Sequence, residues 1–410
     1  MMCCPRVVAS IRPTIIFLSE SPAAVPRPFD LAVVGAGIVG LAHALAAARI
    51  GKRVVVIERE PRATGASIRN FGFVTVTGQE RGATWRRARR SRDIWAAVAP
   101  EAGIAIEQRG LLVSLRHPLS LAVARAFLDT EMGEGCSLLA ANERAALPFP
   151  AGGLAGVLHS PHDLRVESRL AIPRLAAWLE EAWGVTFRWG AAAHSAEPPI
   201  LQTSRGPVEA EAVVVCPGDD LATLYPDRIA AHRVSRCTLS MLRLADPGFR
   251  FPGAIMSDLG LVRYLGYAAL PEAASLLAEL ARSHGEALAD GVHLIVTQSA
   301  DGALVVGDSH HYGPAAEPFM SARVEALILQ AFREAVGLEP PPVVERWSGT
   351  YASAEAMAMF VDAPAPATRL VMVTSGTGAS TAFAIAEEVV GDLYGRDMAA
   401  VPLAARRPRD

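Results

Sequence analysis

The first residues whose spacing suits chemistry form a glycine-rich turn. The string Gly35-Ala36-Gly37-Ile38-Val39-Gly40 follows an apolar run, Leu31–Val34, and opens a segment with helical spacing. In a dinucleotide-binding turn the first glycine makes the bend and the second lets a pyrophosphate approach the backbone. The third lets helix and strand pack closely. The N–H groups at the helix start then face the phosphates.

The residues after this turn complete a strand–helix–strand pattern. Val54–Ile57 is a β-branched run, and Glu58 ends it with Arg59 alongside. A carboxylate at this position accepts hydrogen bonds from an adenosine ribose. The pattern therefore predicts a dinucleotide site, and the alternative is a structural glycine turn in an unrelated α/β protein.

Three further segments favour FAD over NAD. They are the loop Thr64–Gly72, the strand end Val215–Gly218, and the glycine-rich helix start Gly376–Thr381. A helix N-terminus suits a reduced flavin, which gathers negative charge, although an ordinary strand-to-helix turn is the alternative. The predicted FAD ligands beyond the first turn are Glu58, Arg59, Ser67, Arg69, Asn70, Gly72, Gly218, Gly376, Thr377, Gly378, Ala379, Ser380 and Thr381.

Several polar side chains are candidates for holding a substrate. An anionic head group needs cations or N–H and O–H donors. Arg69 either serves this role or binds the FAD diphosphate, and Asn70 either bonds the flavin ring or a backbone carbonyl. Of the adjacent pair His310 and His311, only one is expected to face the site, and we favour His310. The candidates for substrate contact are Arg69, Arg263, Tyr264, His310, His311 and Tyr351.

Metal binding is not expected. No second histidine or carboxylate cluster stands at ligand spacing from His310 in the sequence, so no metal is predicted.

Together these segments resemble the D-amino-acid oxidase/glycine oxidase superfamily of FAD enzymes, from about Phe29 to Tyr394. Within it the chain is similar to the phosphonate-associated FAD oxidoreductases, a group linked to aminophosphonate breakdown. The matching strings are Ala66-Ser-Ile-Arg-Asn-Phe-Gly72, Arg165-Val-Glu-Ser-Arg169, Val215-Cys-Pro-Gly-Asp-Asp220, Gly307-Asp-Ser-His310, Glu345-Arg-Trp-Ser-Gly-Thr-Tyr-Ala352 and Thr374-Ser-Gly-Thr-Gly-Ala379.

The resemblance implies an α/β fold with a Rossmann-like FAD-binding domain and an inserted mixed-sheet substrate domain, as in glycine oxidase. Some sarcosine-oxidase relatives attach the flavin through a C-terminal cysteine; no cysteine follows Cys237 here, so the resemblance implies non-covalent FAD. It implies an FAD-binding domain assembled from 29–80, 163–232 and 343–398, with 81–162 and 233–342 forming the substrate domain. We expect 1–28 to be a disordered tail or a mis-assigned start, rather than a cleaved signal, and 399–410 to be a tail.

One departure from the superfamily bears on the substrate. Amino-acid-oxidising members carry an arginine shortly after a Trp-x-Gly element, where it pairs with the substrate carboxylate. Here Trp347-Ser348-Gly349 is followed by Thr350 and Tyr351. A tyrosine donates one hydrogen bond but forms no bidentate ion pair. This favours a phosphonate, held elsewhere, over a simple D-amino acid.

These observations predict an enzyme that oxidises a small anionic amine. Hydride transfer to flavin N5 gives an imine, which water hydrolyses to an aldehyde, and dioxygen or another acceptor reoxidises the flavin. The predicted substrate is a 2-aminoethylphosphonate derivative, for example N-methylated or hydroxylated, positioned by His310, Tyr351 and Arg263. The alternatives are a glycine, sarcosine or D-amino-acid oxidase or dehydrogenase with an altered clamp, a nicotinamide-dependent dehydrogenase, or a flavin-binding protein without turnover.

The composition fits a globular enzyme. The chain has 410 residues, 51% of them hydrophobic, which is enough for one large or two interlocked cores. A net charge of -3 does not suggest a nucleic-acid binder, and the arginine-rich stretch 86–92 is expected to be a solvated helix face. Five irregularly spaced cysteines without a CxxC motif fit a reducing cytosol and hence a cytoplasmic protein. No stretch approaches the roughly 20 apolar residues of a membrane span.

The elements that must position these residues follow from apolar periodicity. Arg263-Tyr264 is expected on a strand and His310 in a loop. The predicted strands are Leu31–Val34, Val54–Ile57, Leu111–Leu115, Ala212–Cys216 and Leu370–Thr374. The predicted helices are Ala83–Val98, Leu121–Met132, Ile172–Trp183 with Pro173 near its first turn, Ala273–Ser283, Ala322–Val336 and Ala382–Tyr394.

Overall fold

The computed structural model describes residues 28–403. The predictions for residues 1–27 and 404–410 lie outside this part of the chain. No helix within it is long and apolar enough to cross a membrane.

The described residues form two sheets with helices packed around them. The strands are β1 (Phe29–Val34), β2 (Val54–Glu58), β3 (Phe73–Val74), β4 (Ile106–Leu115), β5 (Ser137–Leu138), β6 (Gly156–Val166), β7 (Thr186–Trp189), β8 (Ile200–Leu201), β9 (Val208–Val215), β10 (Ser235–Leu244), β11 (Ala254–Ser257), β12 (Ile295–Gln298), β13 (Leu304–Gly307), β14 (His311–Gly313), β15 (Val343–Ser353), β16 (Met359–Ala365) and β17 (Thr368–Val373). The helices are α1 (Ile38–Arg49), α2 (Ala83–Glu101), α3 (Pro118–Leu128), α4 (Ala141–Ala145), α5 (Ser168–Trp183), α6 (Pro226–Ala231), α7 (Leu265–Ala268), α8 (Glu272–Ser283), α9 (Gly285–Ala289), α10 (Ala322–Val336) and α11 (Gly378–Tyr394).

The first sheet is largely parallel, in the order β16-β17-β9-β1-β2-β7, with β8 beside β9. β1 lies parallel to both β2 and β9, and β9 lies parallel to β17. Helices α1, α5 and α11 cover one face of this sheet, so the central strands are buried and read as continuous apolar runs. This matches the expected Rossmann-like domain.

Alanine-rich helix faces explain how closely this layer packs. Ala42, Ala44 and Ala46–Ala48 of α1 are all buried. Such small side chains let α1 approach both the sheet and α11, with which it makes one of the closest helix pairs of the fold.

The second sheet is mixed and mostly antiparallel, in the order β14-β10-β13-β12-β11-β4-β6-β3. Two strands extend it, because β15 pairs with β10 and β5 pairs with β6. Helices α3, α8 and α10 pack against it around a second hydrophobic core. The mixed sheet confirms the fold class predicted from the sequence.

Two elements lie differently from the predicted domain division. Helix α2 falls in the segment assigned to the substrate domain, 81–162, but packs against α11 in the core of the first sheet. Strand β15 falls in the segment assigned to the FAD-binding domain, 343–398, but pairs with β10 in the second sheet. The arginines of α2 also contact this layer, since Arg90 pairs with Glu387 of α11 at 2.8 Å.

Three local predictions were wrong. Helix α3 begins at Pro118, because His117 caps it by accepting a hydrogen bond from Leu119 N, and it ends at Leu128. Helix α5 begins at Ser168, so Pro173 lies in its second turn rather than its first. The pair 263–264 joins a 3₁₀ turn to α7 and is not on a strand.

Candidate cofactor and substrate site

A cavity of about 450 Å³ lies where the two sheets meet. Its walls on one side follow the carboxyl ends of three adjacent parallel strands, β1, β9 and β17. Open α/β sheets bind ligands at this edge. The opposite wall comes from the second sheet and the turn before α7, so the cavity joins the predicted cofactor and substrate residues.

The glycine turn after β1 leaves no room for side chains. A Cβ at Gly35, whose φ is +103°, would lie 2.4 Å from the Cys216 carbonyl oxygen. A Cβ at Gly40 would lie 1.9 Å from the Gly35 carbonyl oxygen. These contacts confirm that the turn needs glycine for close approach of backbone to backbone.

The helix start after this turn borders the cavity, and two N–H groups of the turn donate to neighbouring side chains. Gly37 is the N-cap of α1 and has no side-chain cap. Ser67, from the neighbouring loop, accepts a hydrogen bond from Ile38 N at 2.9 Å. Glu58 accepts one from Ala36 N at 2.8 Å, so its carboxylate braces the turn.

A second helix start faces the same cavity from the chain's other end. Gly376 has φ +72°, and Thr377 caps α11 without a side-chain hydrogen bond to its backbone. Ser380, in the first turn of α11, accepts a hydrogen bond from Thr75 N at 2.9 Å. This bond ties the segment after β3 to α11.

The loop Thr64–Gly72 holds its own shape. Asn70 donates to the Ala66 carbonyl oxygen at 2.8 Å and accepts from Gly72 N at 2.7 Å. Its amide therefore bonds a backbone carbonyl within the loop, which is one of the two roles predicted for Asn70. The Arg69 carbonyl oxygen accepts from Trp347 Nε1 at 3.0 Å, while its exposed side chain borders the cavity.

The substrate side of the cavity carries a cation and a row of tyrosines. Arg263 Nη2 donates to the Tyr312 hydroxyl at 2.9 Å. Tyr351, on β15, also borders the cavity, and burial raises its pKa well above the usual range. A Cβ at Gly376 would lie 3.1 Å from the Tyr351 ring, so this tyrosine stands directly beside the α11 helix start.

A buried cluster of two histidines and one carboxylate also borders the cavity. His293 Nδ1 lies 3.3 Å from Asp308 Oδ1, and His310 Nε2 lies 3.7 Å from Asp308 Oδ2. The three residues are 3%, 4% and 8% exposed. The prediction that no second histidine or carboxylate lies at ligand spacing from His310 was wrong, because the three ligand atoms lie within 4.8 Å of one another.

Burial controls protonation in this cluster. It raises the pKa of Asp308 to about 7, against the opposing effect of Arg263. Burial, followed by the nearby Arg263 charge, lowers the pKa of His293 to about 3 and that of His310 well below its usual value. Both imidazoles are therefore neutral near pH 7, and the carboxyl is poised between its two forms.

Comparison with known proteins identifies the family. The sequence model of the family described as FAD dependent oxidoreductase (DAO) matches residues 30–391. The chain belongs to this family. It is an FAD-dependent oxidoreductase, and no curated protein matches its sequence.

Solved structures with the same fold cover nearly the whole chain. L-proline dehydrogenase from P. horikoshii has a TM-score of 0.72 at 16% identity and covers 92% of this chain and 96% of its own. Glycine oxidase from Geobacillus kaustophilus has a TM-score of 0.70 at 17% identity, covering 92% and 98%. Iminodiacetate oxidase from Chelativorans sp. BNC1 has a TM-score of 0.67 at 19% identity, also covering 92% and 98%.

The residues of this FAD-dependent oxidoreductase fit its cofactor. Two helix N-termini, at Gly37 and Thr377, border one cavity, and neither N-cap residue supplies a side-chain hydrogen bond, although Ser67 accepts one from Ile38 N at the first. A pyrophosphate and a reduced flavin both carry negative charge that such helix starts stabilise. Gly37 borders the cavity without a side chain, as a close pyrophosphate contact requires, while Gly35 and Gly40 let the turn pack against other backbone atoms.

The cavity brings together most of the predicted site residues. Arg59 lies apart, paired with Asp220 at 2.6 Å, and Gly35, Glu58, Gly72 and Thr381 support the walls without bordering the cavity. The predicted residues that do border it are Gly37, Ile38, Val39, Gly40, Ser67, Arg69, Asn70, Gly218, Arg263, Tyr264, His310, Tyr351, Gly376, Thr377, Gly378, Ala379 and Ser380.

Sequence reasoning missed three residues of the substrate side. Asp308 stood in a quoted family string, beside His310, but carried no assigned role. His293 and Tyr312 belong to no motif, and only the pairing of β12 with β13 and of β14 with β10 brings them to the cavity. His311 lies outside the cavity wall, as expected for the neighbour of His310.

Proposed function

We propose that this enzyme oxidises a small amine with an anionic head group, and that the substrate is an aminophosphonate such as an N-methylated or hydroxylated 2-aminoethylphosphonate. The observation that carries the proposal is the charge of the cavity. Arg263 and Arg69 both border it; Arg263 donates to the Tyr312 hydroxyl, and among the described residues neither guanidinium forms an ion pair with a carboxylate. A phosphonate is an anion whose oxygens match such cations.

The position of the family's carboxylate clamp supports a phosphonate over a carboxylate. Tyr351 follows the Trp-x-Gly element and borders the cavity, where its hydroxyl offers one donor. Trp347 itself is engaged with the Arg69 carbonyl oxygen. Anion binding is therefore assigned to Arg263, Arg69 and Tyr351.

The fold relatives support chemistry at a carbon–nitrogen bond. Their printed names describe enzymes acting on L-proline, glycine and iminodiacetate, each of which has a C–H bond beside an amine nitrogen. When bound, FAD accepts the hydride from that carbon, and hydrolysis of the resulting imine yields an aldehyde and an amine or ammonia.

The protein's own residues position the substrate. Arg263 and Tyr312, joined at 2.9 Å, fix one end of the anion site. Tyr351 beside Gly376 places the substrate next to the α11 helix start. Holding the anion at a fixed distance from that helix start would select which carbon of the substrate reacts, and such orientation lowers the barrier to reaction.

The test is anaerobic mixing of the purified holoenzyme with candidate amines while flavin absorbance is followed. The panel contains 2-aminoethylphosphonate, its N-methyl and 1-hydroxy derivatives, glycine, sarcosine and D-alanine. We expect one of the phosphonates to bleach the flavin fastest. If only the carboxylates bleach it, the enzyme is instead a glycine, sarcosine or D-amino-acid oxidoreductase, and if no amine does, amine oxidation itself is wrong.

A further inference from the structure

Within the buried cluster of Asp308, His293 and His310, Asp308 and His310 present acceptor atoms to each other with no donor between them. His310 Nδ1 lies 2.9 Å from the Gly291 carbonyl oxygen, which can only accept, so Nδ1 carries the ring's proton. In the neutral ring Nε2 then has a free lone pair. That lone pair lies 3.7 Å from Asp308 Oδ2, which is also an acceptor when ionised.

The second half of the cluster is equally incomplete. Asp308 Oδ1 and His293 Nδ1 are buried and have no hydrogen-bond partner within residues 28–403, although they lie 3.3 Å apart. Buried polar atoms without partners cost free energy, and native proteins rarely leave them so without a function. Converging acceptors at the wall of a cavity are satisfied by a cation.

We propose that Asp308, His310 and His293 form the amine subsite, which receives the ammonium group of the substrate and takes one of its protons. The inference rests on the function proposed above. The N–H bond breaks, its electron pair stays on nitrogen, and the proton passes to the Asp308 carboxylate, giving a neutral amine and a carboxylic acid. No oxidation occurs in this step. The amine lone pair is then free to assist loss of hydride from the neighbouring carbon.

The surroundings favour an ammonium group over a metal ion. Arg263 shares the cavity and its charge acts on all three residues of the cluster. A second, divalent cation beside a half-buried guanidinium is strongly repelled, whereas an ammonium that gives up a proton becomes neutral. The subsite also lies in the cavity where the amine must react, with Tyr351 6.4 Å from the His310 ring.

The other groups around the cluster do not compete for this role. Tyr264 stacks edge-on against His293 at 5.5 Å, and burial raises its pKa above the usual range, so it stays neutral. Tyr312 lies 6.5 Å from the His310 ring and is hydrogen-bonded to Arg263. Asp290, whose carbonyl oxygen accepts from His310 N, pairs through its carboxylate with Arg323 at 2.6 Å. His311 does not border the cavity, and its charge is the last-named influence that lowers the pKa of His310.

The first experiment needs no substrate. Infrared spectra of the holoenzyme between pH 5 and pH 9 report the C=O stretch of a protonated buried carboxylic acid. We expect this band to disappear with a midpoint near pH 7, the pKa to which burial raises Asp308, and to be absent from Asp308→Asn. Absence of the band from the wild type at every pH, or its persistence in the variant, would overturn the proposal.

The second experiment measures the pH dependence of flavin reduction with whichever amine of the panel bleaches the flavin. We expect the wild-type rate to fall below pH 7 and Asp308→Asn to lose about 100-fold at pH 7, as for removal of a general base. Asp308→Glu should restore part of the rate. The matched control is Asp301→Asn, an exposed aspartate paired with Arg243 outside the cavity, which should leave the profile unchanged.

The two proposals fail in different ways. If a carboxylate substrate bleaches the flavin and Asp308→Asn still removes the pH dependence, the phosphonate assignment is wrong and the amine subsite stands. If a phosphonate bleaches it and the Asp308→Asn profile matches the wild type, the subsite is wrong and the function stands. Stoichiometric metal in the purified holoenzyme that Asp308→Asn lacks would also overturn the subsite.

Discussion

The two walls of the cavity are built by different means. On the cofactor side, the turn after β1 and the start of α11 present backbone N–H groups, and side chains are excluded because Gly35 and Gly40 contact other backbone atoms. On the substrate side, Arg263, Asp308 and His310 present charged or titratable side chains. The first wall therefore depends on backbone conformation, and the second depends on particular side chains.

This difference determines how each wall responds to change. A backbone wall tolerates loss of a supporting side chain but not the addition of an atom where chains touch. A side-chain wall tolerates small changes of shape, but each charged group contributes a separate interaction that no neighbour replaces. Four substitutions can test this contrast, beginning with the largest expected effect.

Gly40→Val should abolish FAD binding. Its Cβ would lie 1.9 Å from the Gly35 carbonyl oxygen, so the turn must open and the N–H groups lose their alignment. The ratio of flavin to protein absorbance measures the loss. Gly65→Ala is the matched control, because a Cβ there meets nothing within 4 Å. If Gly40→Val purified with full flavin content, the claim that the backbone wall cannot accept an added side chain would be wrong.

Arg263→Leu should weaken substrate binding by about 10- to 100-fold while leaving flavin content unchanged. The range corresponds to the roughly 1.5–3 kcal/mol of a hydrogen bond to a charged group. The measurement is the phosphonate concentration that gives half-maximal flavin reduction rate. Arg282→Leu, a surface arginine paired with Glu279, serves as control. An equal loss of phosphonate affinity in both variants would mean that Arg263 acts only through the overall charge of the protein and not through direct contact with the substrate.

Relative to the wild type, Asp308→Asn should have a higher free energy of unfolding at pH 8 than at pH 5. Burial raises the pKa of Asp308 from 3.8 to about 7, so the folded state disfavours the ionised form. Wild-type stability is therefore lost as pH rises from about 4 to 7, by at most about 4 kcal/mol at about 1.4 kcal/mol per pKa unit. Asparagine removes this loss. Denaturant unfolding at both pH values measures the difference between variant and wild type.

The control for this prediction has the opposite sign. Burial is the largest single influence on Asp301 and raises its pKa, but the hydrogen bonds from Arg243 and Ala303 N and the Arg243 charge together lower the pKa below its ordinary value. Its contribution to stability is present above the ordinary aspartate pKa and is lost only in acid. Asp301→Asn should therefore show a constant difference from wild type between pH 5 and pH 8. A difference that varies with pH for Asp301→Asn and stays constant for Asp308→Asn would refute the assignment.

Ser67→Ala should have the smallest effect, weakening FAD binding about fivefold. Ser67 accepts one hydrogen bond from Ile38 N, and such a bond at a helix start contributes about 1 kcal/mol. The remaining N–H groups of the turn stay in place. Ser204→Ala, which removes a similar bond to Ala192 N far from the cavity, should leave FAD affinity unchanged. A complete loss of flavin in Ser67→Ala would show that this wall also depends on individual side chains.

The same contrast explains what the sequence could predict. The turn Gly35–Gly40 and the helix start Gly376–Thr381 are contiguous strings whose glycines have a direct steric cause, so both were identified before the fold was known. Helix α10 was predicted with its observed bounds because its apolar positions recur at helical spacing.

The substrate wall could not be predicted in the same way. His293 and Asp308 lie on different sides of β13 in the chain, and only the strand order β13-β12 brings them within 3.3 Å. Arg263 was predicted to lie on a strand. A short apolar stretch with interspersed polar residues has a similar pattern in a strand and in short helical turns, so the sequence could not distinguish them. Tertiary pairing, rather than local pattern, decides which of these side chains meet.

The position of α11 has a consequence for biosynthesis. Strand β1 emerges first from the ribosome with its glycine turn, but its neighbour β9 and the next strand, β17, come from much later in the chain. The second helix start, at Thr377, is translated only within the last part of the chain. The two helix starts that border the cavity can therefore come together only after translation has passed Thr377. A message truncated before Thr368 yields a polypeptide that keeps the complete glycine signature and has no closed pocket for the cofactor.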